Sequence, residues 1–97
     1  MIDVELSLEA ENDLRNIRDW SIEHFGTHVA AQYVTRIRTG LARLRHYPKS
    51  GPFFRGIQPP IRYVSVGSHR EFYEINRSQV TVLRILHVRM NAAVRLR

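Results

Sequence analysis

Three predicted strands joined by short turns limit the fold of this chain more than any other feature. They lie in Ile61–Arg97, a segment that ends in a basic tail. Gly67–Ser68 suits a two-residue hairpin turn, and Asn76–Gln79 suits a second hairpin. The run Val80–Val88 is apolar on both faces, which is typical of a central strand. This third of the chain therefore predicts a sheet that the remaining residues must cover.

The register of the second hairpin decides which side chains share a face of that sheet. If Ile75 pairs with Val80, Glu71 lies opposite Arg84, which makes a favourable cross-strand charge pair. A slip of one residue would exchange the two faces. On the favoured register, one face carries Arg70, Phe72, Glu74, Thr81, Leu83, Ile85, His87 and Arg89.

The first half of the sequence predicts an edge strand followed by two helices. Ile2–Leu6 alternates apolar and acidic residues, and Ser7 is suited to cap the helix that follows. Gly26 is predicted to end this helix in the left-handed conformation. The second helix is expected at about 28–46, with Gly40 inside it to allow close approach of the first helix.

The order of these elements defines the predicted fold class. Tyr47–Pro60 is a long loop, in which Phe53 and Phe54 either pack on the core or contact a partner. The elements then follow in the order β-α-α-β-β-β. The fold class is α+β, with a helical hairpin packed on a mostly antiparallel sheet. A chain of 97 residues forms a single domain, 1–97.

Charge is divided unevenly along the chain. Residues 1–34 hold seven acids and two arginines, whereas residues 35–97 hold thirteen cations and two acids. Lys49 is the only lysine, and arginine is the side chain best suited to bind phosphate and carboxylate groups. The second half therefore predicts contact with nucleic acid or with an acidic protein. A merely solubilising surface is the alternative.

Several classes of chemistry are excluded by composition. The chain has no cysteine, so it has neither disulfides nor thiolate sites. An acidic N-terminus, and the lack of an apolar run long enough to cross a bilayer, predict a cytoplasmic protein. His24 and His28 have the spacing of metal ligands on a helix, but Gly26 lies between them and interrupts it. No metal site and no cofactor are expected.

Arg70, His87 and Arg89 are the residues best suited to catalysis. On the favoured register they share a face, where two guanidiniums can bind a phosphodiester and an imidazole can transfer a proton. These groups are the minimum for metal-free cleavage of RNA. The alternative is that they only bind main-chain carbonyls and the C-terminus.

Three segments resemble the RelE/ParE superfamily of bacterial toxins, and within it the ParE branch. They are LARLRHYPKSG, VGSHREFYEI and VLRILHVRMN, of which Arg84–Met90 and the preceding His69–Tyr73 are the most specific. The resemblance covers nearly the whole chain. It implies the toxin of a type II toxin–antitoxin system, neutralised by a ParD-like or other antitoxin. ParE-type members poison DNA gyrase, and RelE-type members cleave mRNA in the ribosome.

The matching positions favour the ParE branch. Arg70 and Arg89 match two arginines of the RelE-type site. The tyrosine that RelE-type cleavage uses near the C-terminus is replaced by Arg95, and His87 stands where RelE-type chains commonly carry glycine. The resemblance thus implies a toxin that inhibits gyrase by binding it. An mRNA endonuclease that uses Arg70, His87 and Arg89 is the alternative, and a member that only binds its antitoxin is a third.

Two sets of binding residues follow from this interpretation. The predicted target-binding residues are Arg70, His87, Arg89, Arg95 and Arg97. The predicted antitoxin contacts are Trp20, Tyr33, Phe53 and Phe54. Trp20 and Tyr33 also lie on the apolar stripes of the two helices, which favours the core for both.

Overall fold

A computed structural model describes residues 1–96 and contains a helical hairpin on a five-stranded sheet. The strands are β1 (Asp3–Leu6), β2 (Phe53–Phe54), β3 (Ile61–Val66), β4 (His69–Asn76) and β5 (Gln79–His87), and the helices are α1 (Leu8–Arg43) and α2 (Ala92–Arg95). The sheet order is β1-β5-β4-β3-β2, with β1 parallel to β5 and the other neighbours antiparallel. The predicted α+β class is confirmed, and β2 and α2 are additional short elements.

α1 consists of two helical arms, the first arm at 8–25 and the second arm at 27–43, joined at Gly26. Gly26 has φ 85 and ψ 169, so its φ is positive as predicted, although ψ lies outside the left-handed helical region. Leu14 and Ile37 belong to one core cluster, whereas a straight helix would hold them roughly 35 Å apart. The arms therefore fold back on each other. Ser7 caps the first arm as predicted, because its Oγ accepts the N–H of Ala10 at 3.0 Å.

Replacing Gly26 by alanine is expected to lower the free energy of unfolding by about 1–3 kcal/mol. The positive φ strains any L side chain, and a Cβ added at Gly26 would meet no atom within 4 Å. The loss would therefore come from the backbone alone. Urea unfolding followed by circular dichroism measures the change. An unchanged midpoint would show that this turn has an ordinary backbone conformation in solution.

The sheet buries residues on both of its faces. On the hairpin face, which is covered by α1, the core contains Ala10, Leu14, Ile37, Leu41, Leu44, Tyr73, Val80, Val82 and Ile85. On the outer face, Ile61, Phe72 and Leu86 form a second cluster, against which Phe54, Ile57, Tyr63, Leu83, Ala92 and Leu96 pack. α1 therefore covers one face, while α2 and the segment around β2 cover part of the other. Within residues 1–96, no helix has the length and apolar character needed to cross a membrane.

A β-bulge between β4 and β5 makes the predicted register wrong over half of its length. The hairpin turn pairs as predicted, but the register shifts between Phe72 and Tyr73. Glu71 consequently lies opposite Ile85, and not opposite Arg84 as predicted. The extra residue on β5 reverses the alternation of side chains beyond it. Ile85 therefore joins the hairpin face, and the predicted common face is divided.

Gly40 allows a close approach, but the approaching element is the sheet and not the first arm. A Cβ at Gly40 would lie 2.7 Å from Oε1 of Glu71 and 2.9 Å from Cγ2 of Val66. Any larger residue would therefore collide with β3 and β4. The second arm rests directly on the buried carboxyl group of Glu71.

The start of the first arm forms hydrogen bonds with the part of β5 that does not pair with β1. β1 ends at Leu6, and Ser7 then donates from its N–H and its hydroxyl to two carbonyls of β5. Asp13 accepts the N–H of Ile85 at 2.9 Å, while Nε and Nη2 of Arg84 donate to its two oxygens at 2.8 and 2.9 Å. Arg84 thus anchors the helical hairpin to the edge of the sheet.

Candidate functional site

Arg70 lies on the outer face of β4. Its guanidinium stands 4.9 Å from the centre of the Tyr63 ring, a cation–π arrangement. Its Nε is buried and has no hydrogen-bond partner within residues 1–96. Arg70 pairs with Leu86 in the β4–β5 ladder, and Leu86 belongs to the outer core cluster. The side chain is therefore held on the sheet and keeps unused donor capacity.

His87 lies on the opposite face of the sheet from Arg70. It pairs with His69, and the centres of the two rings are 5.3 Å apart. His69 in turn has Nδ1 2.6 Å from the hydroxyl of Tyr33, which comes from the second arm. The structure therefore does not bring Arg70, His87 and Arg89 together on one face, because the β-bulge puts His87 on the face opposite Arg70.

The imidazole rings of His69 and His87 each interact with other groups of the chain. Burial, reinforced by repulsion from His87, lowers the pKa of His69 to about 4, while Asp13 acts in the opposite direction. His69 is therefore neutral at pH 7. Nδ1 of His87 accepts the N–H of Arg89 at 3.1 Å, which fixes the start of the segment after β5. Residues 1–96 contain no cluster of three or more His, Cys, Asp or Glu side chains that could hold a metal.

The segment after β5 forms a surface that we call the C-terminal patch, composed of Val88, Arg89, Met90, Val94 and Arg95. All five residues are exposed, and the three apolar ones are 44–53% exposed. Asn91 caps α2 by accepting the N–H of Val94, and Ala92 and Leu96 pack on the outer core cluster. The patch is thus held on the same side of the sheet as Arg70. Arg97, also predicted to bind the target, lies outside the described residues.

The apolar members of the C-terminal patch were missed by the sequence prediction. Val88, Met90 and Val94 are interleaved with arginines, and this mixture is the available signal. The N-cap Asn91 was also a visible sign of a helix, although α2 is only four residues long.

The two phenylalanines of the loop have different environments. Phe54 is half-buried and meets Phe72 edge-on at 5.3 Å. Phe53 is 45% exposed and lies beneath two guanidiniums, those of Arg62 at 4.2 Å and Arg55 at 5.6 Å. Phe54 thus packs on the core, while Phe53 stays available to a partner.

Trp20 and Tyr33 also lie in different environments. The expected core position of Trp20 is wrong, because its neighbour Ser21 takes the buried position and Trp20 is 54% exposed. The Trp20 ring stacks on His24 at 4.0 Å near the tip of the hairpin. Tyr33 is half-buried, and its hydroxyl donates to a main-chain carbonyl or His69 while accepting the N–H of Ser68. Tyr33 therefore ties the second arm to the β3–β4 turn.

Burial removes the negative charge of one of the two acids in residues 35–97. The side chain of Glu71 is fully buried on the hairpin face, and its oxygens have no hydrogen-bond partner within residues 1–96. This burial raises the pKa of Glu71 to about 8, so the carboxyl group is mostly protonated at pH 7. Glu74 is the other acid beyond residue 34, and it faces solvent. The surface of this half is consequently more positive than its composition indicates.

The fold matches a chain of a solved structure described as "Chromosomal ParDE TA system from P. aeruginosa". The TM-score is 0.79, the match covers 90% of this chain and 96% of that chain, and 19% of the residues are identical. The similarity shows a common fold. This chain thus shares its fold with nearly the whole of a chain solved from a ParDE system.

Sequence similarity gives the family. Residues 4–92 match the family described as "ParE toxin of type II toxin-antitoxin system, parDE". The chain is 32% identical to Toxin ParE1 of Mycobacterium tuberculosis over 87 residues, which is 89% of each chain. It is 30% identical to Toxin ParE1 of Caulobacter vibrioides over 91 residues, which is 94% of each. The chain belongs to the ParE toxin family, and as the toxin of a ParDE-type system it has an antitoxin as its partner.

Proposed function

We propose that this toxin inhibits DNA gyrase by binding it through Arg70 and the C-terminal patch. The observation that carries the proposal is the composition of the patch, in which exposed apolar side chains alternate with Arg89 and Arg95. Within residues 1–96 neither arginine forms a salt bridge. Arginine and methionine are enriched in protein interfaces, and unpaired guanidiniums suit an acidic target. Arg97 is proposed as a further contact with the target, and gyrase as target implies action in the cytoplasm.

We propose a binding inhibitor and not a nuclease because the residues predicted to cleave RNA do not lie together. Arg70 and His87 lie on opposite faces of the sheet. A phosphodiester could not contact both side chains at once. His87 instead supports Arg89 through the hydrogen bond to its N–H.

The antitoxin contacts are proposed at the two exposed aromatic side chains. Trp20 lies near the tip of the hairpin, and Phe53 lies at the edge of the sheet beside two arginines. Exposed aromatic rings supply a large contact area at little cost in side-chain entropy. Tyr33 and Phe54 are assigned a smaller part of the contact, since both already pack within the toxin.

Reversing the charge of the C-terminal patch is expected to abolish gyrase inhibition while leaving the fold intact. The variant Arg89→Glu/Arg95→Glu should raise the toxin concentration that halves supercoiling by at least about tenfold. Both side chains are exposed, so folding should be unchanged. Arg38→Glu/Arg45→Glu is the matched control, because it makes the same charge change at exposed positions far along the chain from the patch.

Three results would contradict this function. Full supercoiling at a stoichiometric excess of wild-type toxin would remove gyrase as the target. Equal loss of inhibition in both double variants would show that only net charge matters. Cuts at codon positions in translated mRNA, mapped by primer extension after induction, would indicate an endonuclease instead.

A further inference from the structure

The start of the C-terminal patch is held in place by three main-chain N–H groups. The N–H of Val88 donates to the carbonyl of Ser68 at 2.9 Å. That of Met90 donates to the carbonyl of His87, also at 2.9 Å. That of Arg89 donates to Nδ1 of the His87 side chain at 3.1 Å. A carbonyl accepts at any pH, whereas an imidazole nitrogen accepts only while it carries no proton. One of the three bonds therefore depends on the protonation state of His87.

The bond to Arg89 also determines which form of the His87 ring is present. With Nδ1 as the acceptor, the neutral imidazole carries its proton on Nε2. A second proton can enter only at Nδ1, where it would face the N–H of Arg89, so that two donors point at each other. The ring and the main chain then have to separate. Protonation of His87 thus removes one attachment of the patch and replaces it with repulsion.

The neighbouring imidazole of His69 does not compete for this proton. The centres of the two rings are 5.3 Å apart, and the ring planes are nearly perpendicular, at 84°. The second arm holds the His69 ring, because Nδ1 lies 2.6 Å from the hydroxyl of Tyr33. Burial, together with repulsion from His87, lowers the pKa of His69 to about 4. A proton that reaches the pair near neutral pH is therefore carried by His87.

Two acids lie beside the pair, and neither presents a free carboxylate to a protonated His87. Asp13 of the first arm acts on His69, but its charge is balanced by Arg84, whose Nε lies 2.8 Å from it. Glu71 stands two positions along β4 from His69, and burial raises its pKa to about 8, which leaves it mostly protonated at pH 7. Two cations and a phenol complete the surroundings, namely Arg36 over the ring of Tyr33, and Arg89. Within residues 1–96, a proton on His87 therefore has no carboxylate partner.

We propose that His87 positions the C-terminal patch while it is neutral and releases the patch when it takes up a proton. Neutral His87 holds the N–H of Arg89, which keeps the Arg89 guanidinium and the apolar side chains on either side of it in one arrangement. The protonated form lets the segment adopt other arrangements, so only a fraction of the molecules presents a patch that can bind. The toxin thus binds its target less tightly as the pH falls. This effect on the target rests on the proposed function, whereas the attachment of the patch does not.

Binding of the toxin to purified gyrase, measured by biolayer interferometry from pH 8 to about pH 5.5, tests the proposal. The affinity of the wild type should fall about fivefold, which is the effect of losing one hydrogen bond. His87→Asn should change by less than about twofold over the same range, because asparagine does not titrate and its side chain also accepts the N–H two residues along the chain. His87→Ala has no acceptor, so it should bind at pH 8 about as weakly as the wild type binds at the lowest pH.

Another histidine provides the matched control. His28 is exposed on the second arm, and His28→Asn should keep the pH dependence of the wild type. All four proteins are measured against the same gyrase, so any effect of pH on gyrase itself is shared by them. A wild-type pH dependence in His87→Asn would overturn the proposal, and so would its loss in His28→Asn.

Hydrogen exchange of the free toxin, followed by nuclear magnetic resonance, separates this proposal from the proposed function. Relative to the intrinsic rate at each pH, protection of the Arg89 amide should fall about fivefold as the His87 ring takes up its proton. The Val88 amide, which is bonded to a carbonyl, should keep its protection. Unchanged protection of Arg89, or a neutral His87 ring with its proton on Nδ1, would refute the positioning role. If Arg89 loses protection as expected but the toxin does not bind gyrase, the proposed target is wrong and the proton-dependent attachment stands.

Discussion

Replacing Asp13 by alanine is expected to destabilise the toxin by about 3 kcal/mol. The Asp13 side chain is 11% exposed, and its oxygens accept three hydrogen bonds from Arg84 and Ile85. Removal would leave a largely buried guanidinium and a main-chain N–H without their acceptor. Asp13 also raises the pKa of Arg84, chiefly through the side-chain hydrogen bond, so the guanidinium stays charged at any ordinary pH. The first arm would lose its attachment to β5.

The chain provides a matched control for this prediction. Arg18 and Asp19 form the other salt bridge within residues 1–96, with side chains 52% and 65% exposed. Asp19→Ala should therefore change stability by less than about 0.5 kcal/mol. Asp13→Asn should fall between the two, because it keeps an acceptor but loses the charge. Urea unfolding at pH 7 measures all three, and equal effects of Asp13→Ala and Asp19→Ala would refute the anchoring role of Asp13.

Asp13 also illustrates what could be predicted from the sequence. Its place in the first turns of a helix, after the cap Ser7, was readable from local rules, and so was the break at Gly26. Its partner Arg84 stands 71 positions away, and no local pattern connects the two. Helices and strands depend on neighbouring residues, and their predicted positions were largely correct. Contacts between elements depend on the final packing. The predicted pairing of Ile75 with Val80 was correct, but that of Glu71 with Arg84 was wrong.

The β-bulge shows the same limit of prediction from sequence, here within a single strand. Val80–Val88 carries apolar residues at six of nine positions and on both faces, so inward and outward residues look alike and a one-residue shift leaves no clear mark in the pattern. That shift places Arg70 and His87 on opposite faces of the sheet, although they were predicted to share one face. Trp20 was misplaced for a related reason, because small Ser21 occupies the buried position beside it. The arginine-rich surface itself, in contrast, follows from composition and order along the chain.

Glu71 should make the stability of the toxin depend on pH in a way that ordinary glutamates do not. Its pKa is about 8 in the folded chain and near 4.5 when unfolded, so the folded state holds the proton more tightly. Stability from this group is therefore complete below pH 4.5 and lost as pH rises to 8. His69, with its pKa lowered to about 4, has the opposite sign, because its contribution is lost as pH falls from 6.5 to 4. The two slopes oppose each other below pH 6.5, and above it only that of Glu71 remains.

The window from pH 6.5 to 8 is therefore where the pH slope of the wild type reports Glu71 without His69, and Glu71→Gln should lack that slope. In that window, ionisation of the buried carboxyl should cost the wild type roughly 2 kcal/mol of unfolding free energy. Glutamine has nearly the same shape and cannot ionise, so the variant should show no such fall and should be the more stable protein at pH 9. Glu74→Gln is the matched control, because Glu74 lies on the same strand and is exposed. Urea unfolding at several pH values compares the three proteins. A wild-type profile in Glu71→Gln would mean that the carboxyl reaches water or a partner in solution, and that the second arm does not close over it at Gly40.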